Sequence, residues 1–75
     1  MDIHHLVKMA NDIGDFFKSE PDKAKGAKGV ADHIHSFWDP RMRRQMFTHI
    51  DQSSGEGLSE LVLTALSTHR KELGG

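Results

Sequence analysis

The chain contains no cysteine. That excludes disulfides, thiolate zinc sites, iron–sulfur ligation and cysteine-based catalysis. It also lacks a prevailing charge: ten Lys and Arg stand against eleven Asp and Glu, for a net charge of −1, so no overall field draws it to nucleic acid. No apolar run approaches the roughly 18 residues of a transmembrane helix. Asp2, His4 and His5 interrupt the stretch where a secretory signal would need a basic start and an apolar core, so a cytoplasmic location is expected. Length sets a further limit. Seventy-five residues are read as one small domain over 1–75, burying about 60% of the unfolded surface, with a core that supplies about 3–5 kcal/mol net. A partner is the expected supplement, and apolar surface left over by so small a core would be open to self-association in the isolated chain.

What is present is helical periodicity. Ile3, Leu6, Val7, Ala10, Ile13, Phe16 and Phe17 recur at helical spacing between Ile3 and Ser19, with Lys8, Asn11, Asp12, Asp15 and Lys18 on the other side and Asp2 as N-cap. Residues 20–29 (EPDKAKGAKG) read as a loop with a frayed entry to a second helix over Ala24 to Trp38. Ala27, Val30, Ala31, Ile34, Phe37 and Trp38 form its expected inward face. Gly26 and Gly29 obscure its start, because a glycine inside a helix costs about 1 kcal/mol relative to alanine. A third helix is expected from Pro40 to Asp51 on a Met42, Met46, Phe47, Ile50 stripe, followed by a turn over residues 52–57. For the fourth, Ser59 is the N-cap and Leu58 and Leu63 have hydrophobic-staple spacing. Leu73-Gly74-Gly75 is expected to fray. No alternating run competes, so the fold class is all-α, a small four-helix domain.

The densest signal is Phe37-Trp38-Asp39-Pro40-Arg41-Met42. A residue before proline is pushed out of the α region, so the second helix should end at Trp38. Asp39 can cap a new helix with Pro40 at its first position. The result is a tight corner with Phe37 and Trp38 expected at a buried elbow. Arg41, Arg43 and Arg44 then fall in the opening turns of the third helix, where the macrodipole disfavours cations. On a wheel set to zero at Met42, Arg43 lies near 100°, inside the apolar sector, while Arg44 and Arg41 lie near 200° and 260° on the open side. Arg43 either snorkels over the rim of the core or, with Arg41, reaches carboxylates. Those carboxylates are Asp39 and Asp32 within the chain, or groups on a partner. Trp38, through an edge expected to stay exposed, Arg41, Arg43 and Arg44 are therefore the candidate partner-binding residues.

Other constellations carry less. His4 and His5 are about 100° apart on a helix, and His33 and His35 about 200° apart, so neither pair converges on one ion. No i, i+4 histidine pair occurs. The serines lack a nucleophile elbow, and no glycine-rich loop follows a strand. No catalytic, cofactor-binding or metal-binding residue is assigned, and the chain is not expected to be an enzyme on its own. Two helices at a tight corner, the second opening with three arginines, leave an alternative: a helix-turn-helix-like nucleic-acid binder using Arg41, Arg43 and Arg44. Against it stand the charge balance, the Trp-Asp-Pro turn and the apolar residues on the face a recognition helix would present.

Leu6-Val7-Lys8-Met9-Ala10-Asn11, Phe16-Phe17, Gly29-Val30-Ala31-Asp32-His33, Phe37-Trp38-Asp39-Pro40-Arg41-Met42-Arg43, and Gly57-Leu58 with Leu61-Val62-Leu63 together resemble the delta subunit of NAD-dependent formate dehydrogenase. The FWDPRMR string and its spacing from VADH are the specific part, and KAKGAKG is the departure. The resemblance implies a non-catalytic accessory subunit or assembly factor of a cytoplasmic complex that oxidises formate to carbon dioxide and reduces NAD+. In that family's complex the large subunit holds a molybdenum or tungsten bis-pterin and iron–sulfur clusters, and further subunits carry FMN, more clusters and the NAD site. The role it leaves to this chain is contact with the large subunit, stabilising it or aiding insertion or retention of its cofactor.

Overall fold

Each helix starts on a side chain that satisfies its free amides. The computed structural model describes residues 1–75 and holds four helices: α1 (Ile3–Phe17), α2 (Lys23–Phe37), α3 (Pro40–Ser53) and α4 (Glu60–Thr68). The Asp2 carboxylate accepts from the His4 amide at 2.9 Å. Asp22 accepts from Ala24 and Lys25 at 2.9 and 3.3 Å. Asp39 accepts from Met42 at 2.9 Å and Ser59 from Val62 at 3.4 Å. Such caps fix where a helix begins, because they occupy amide groups that have no partner within the helix.

The all-α, four-helix expectation holds, with shifted ends. α2 begins one residue earlier than expected, because Asp22 caps it before the glycines are reached. Those glycines serve packing. The Phe17 ring fills the space a Cβ on Gly29 would take, and the Phe17 carbonyl oxygen lies 3.3 Å from where a Cβ on Gly26 would sit. α2 thus approaches the end of α1 at backbone range. α3 runs past Asp51 to Ser53 and ends on Ser54 in the left-handed region, at φ 59°. Gly55 and Gly57 continue the reversal at φ 72° and 90°.

The core joins all four helices: Leu6, Ala10, Val30, Ile34, Met46, Val62, Ala65 and Leu66 are each no more than 1% exposed. α2 packs on α4 and α1, and α3 packs chiefly on α1. A second tie runs between α1 and the turn before α4. The Asn11 amide donates to the Gly57 carbonyl at 2.9 Å, and its oxygen accepts from the Ser59 amide at 2.9 Å. Asn11 lies on the polar side of α1, as its spacing indicated, yet it pins the start of α4.

Three expectations are corrected. Phe37 is 74% exposed, not part of the inward face. Phe37 is the last residue of α2, and the extended Trp38 after it turns its indole into the elbow and fills it. Phe16 is likewise 77% exposed, its ring edge-on to Phe17 at 5.0 Å. Leu73, expected in a loose chain end, is buried, and the Leu73 and Gly75 amides donate to the His69 and Arg70 carbonyls at 3.1 and 3.0 Å.

Candidate docking site at the α2–α3 corner

The corner follows from local backbone sterics. Asp39, directly before Pro40, is held extended (φ −74°, ψ 165°), and Trp38 before it is extended too (φ −93°, ψ 135°), its amide closing α2 on the Ile34 carbonyl at 2.9 Å. Trp38 itself is 5% exposed and belongs to the core. The exposed tryptophan edge expected at the docking surface is therefore absent, and Trp38 acts by holding the angle of the corner.

The arginines are presented together. Arg41 and Arg44 are exposed and Arg43 is half-buried. None of the three has a carboxylate within 4.0 Å, whereas Lys8, Lys18, Lys28 and Arg70 each do. The two internal acids considered for them are engaged elsewhere. Asp32 accepts from Lys28 at 2.9 Å, a contact that raises the lysine pKa through its hydrogen bond and then its charge. Asp39 is occupied as the cap of α3. Arg43 lies between Met46 and Phe47 around the helix, and its Nε is buried with no hydrogen-bond partner. Three cations gather at the helix end least favourable to positive charge, without an intramolecular acid to offset them.

The end of α2, which leads into this corner, carries an exposed pair of rings. The Phe37 ring lies on His33, centroids 4.5 Å apart and planes at 34°. Four residues of chain separate Phe37 from Arg41, a span of at most about 14 Å. The sequence signal for this pair is spacing: His33 and Phe37 are four residues apart, one helical turn.

The histidines form no metal centre. No three His, Cys, Asp or Glu side chains converge where an ion could be held. His49 is used structurally, its ring nitrogens 2.8 Å from the Glu56 carbonyl and 3.1 Å from the Ser53 hydroxyl. It lines a cleft of about 320 Å³ with Ile3, His4, Val7, Glu56 and Gly57, and both its nitrogens are already bonded. The helix-turn-helix alternative loses ground here, because α3 buries Met46 and Phe47 and packs chiefly on α1. No helix is long and apolar enough to cross a membrane.

Among known proteins, the family model for the NADH-dependent formate dehydrogenase delta subunit matches residues 5–66. No curated protein and no solved structure matches the chain.

Proposed function

Because the chain belongs to the delta-subunit family of NADH-dependent formate dehydrogenase, we propose that it serves as a non-catalytic accessory subunit or assembly factor of that cytoplasmic complex. It docks on the catalytic large subunit and stabilises it or aids insertion or retention of its cofactor. The chain's own residues do not fit a pterin-bound metal or a cluster, having no cysteine and no convergent ligand group. No chemical step is assigned to it, and the implied molybdenum or tungsten bis-pterin, iron–sulfur clusters, FMN and NAD belong to other subunits.

One observation carries the docking surface: Arg41, Arg43 and Arg44 lack any acidic partner within the chain. Arginine pairs bidentately with carboxylates, and such pairs are strong when a partner excludes water. The test is the double variant Arg41→Glu/Arg44→Glu, at two exposed positions, co-expressed with the dehydrogenase subunits. It should retain native helicity and lose co-purification with the large subunit. Undiminished co-purification overturns this docking surface. Tight binding to a random DNA duplex at low salt, abolished by the same variant, would favour the nucleic-acid alternative.

A further inference from the structure

We infer that Phe37, packed on His33 and four residues before Arg41 across the corner, is the apolar anchor of the docking surface, and that it seats in an apolar cup rimmed by carboxylates on the large subunit. The inference rests on the docking reading above and adds the chemistry of the opposing surface. Phe37 leaves 74% of its surface in water at the end of α2, although the elbow one residue away is filled. Its ring is held at 4.5 Å by His33, so little side-chain freedom remains to be lost on binding. Aromatic residues and arginine are the types enriched at the centres of protein interfaces.

Charge decides between occupants. A second copy meeting this corner about a two-fold axis would place Arg41, Arg43 and Arg44 against themselves, with no free carboxylate at the corner to compensate, since Asp39 and Asp32 are engaged. An acidic rim on a different protein satisfies all three. The other large exposed aromatic side chain, Phe16, has no such setting. It sits at the far end of α2 from Phe37, where Phe17 meets Gly26, about 16 Å along the helix. Its neighbouring cation Lys18 lies 3.8 Å from Asp15. A lone exposed aromatic of that kind is ordinary.

The experiment titrates full-length chain onto purified dehydrogenase complex prepared without it, comparing wild type, Phe37→Ser, Phe16→Ser and Arg41→Glu/Arg44→Glu. Phe37→Ser should fold as wild type, bind at least tenfold more weakly, and show the loss mainly as faster dissociation. Phe16→Ser should bind as wild type. If the arginine variant is released while Phe37→Ser binds normally, the docking site stands and the anchor is overturned. If neither variant weakens binding, both readings fall. Equal losses from Phe16→Ser and Phe37→Ser also overturn the anchor, because the contact would then follow general apolar exposure and not this corner.

Discussion

Arg70 grips Asp51 through two parallel contacts of 2.8 Å, one from each Nη nitrogen. The same guanidinium lies 4.8 Å above the Phe47 ring, so the last turn of the chain is clamped onto α3. The Arg70 hydrogen bond holds the Asp51 carboxyl below its ordinary range against the opposing effect of burial, and it raises the arginine in turn. A carboxyl lowered on folding contributes stability that is present above its unfolded pKa and is lost as pH falls through the lower folded value. Asp51→Asn should therefore destabilise the chain at neutral pH, and its difference from wild type should close as pH drops below the ordinary carboxylate range. Urea titrations at neutral and strongly acidic pH check this. Salt should also narrow the gap, since the pair is open to solvent.

Asn11 ties α1 to the start of α4 through two hydrogen bonds of 2.9 Å. Asn11→Ala should lower stability by about 1–3 kcal/mol, at roughly 0.5–1.5 kcal/mol per bond. Asn11→Asp keeps the acceptor for the Ser59 amide and loses the donor to Gly57, so it should fall between wild type and Asn11→Ala. Chemical denaturation of the three proteins gives the ordering.

Trp38 and Phe37 are adjacent in sequence and opposite in consequence. Trp38→Ala empties a core position and should cost about 3–5 kcal/mol, close to the about 3–5 kcal/mol that so small a core supplies. The variant should lose its helical circular dichroism at room temperature. Phe37→Ser should change stability by no more than about 0.5 kcal/mol.

Arg43 buries an Nε that nothing accepts from. An unsatisfied buried donor costs about 1–3 kcal/mol, and an apolar replacement of similar shape removes that penalty. Arg43→Met should stabilise the free chain by about 1 kcal/mol while weakening its hold on the dehydrogenase. Thermal melts and pull-downs on one preparation test both halves.

The sequence revealed what short-range physics dictates. The extended, capping Asp39 and Pro40 at the first helical position follow from backbone sterics between two neighbours. Ser59 was legible as a cap for the same reason. Asp22 is a residue of the same capping type, but Gly26 and Gly29 obscure the start of α2 in the sequence, because the reason for small residues lies on Phe17 in another helix. Asn11 carried no local sign of its role, since its partners are 46 and 48 residues away. Which of Phe37 and Trp38 enters the elbow is a tertiary choice between two equally apolar neighbours, as is the burial of Leu73 at the end of the chain. At the candidate site the arginines were recognisable from their conflict with the helix dipole. The exposure of Phe37 was not, because nothing in its apolar character separates it from Trp38.

The placement of Trp38 also gives the protein its optical character. It is the only tryptophan, there is no tyrosine, and the indole is almost wholly enclosed. Emission excited in the indole band, where phenylalanine does not absorb, therefore arises from a single fluorophore at the joint between α2 and α3. Its colour registers whether that joint is closed to water, and opening of the corner shifts it toward the red without any label being attached.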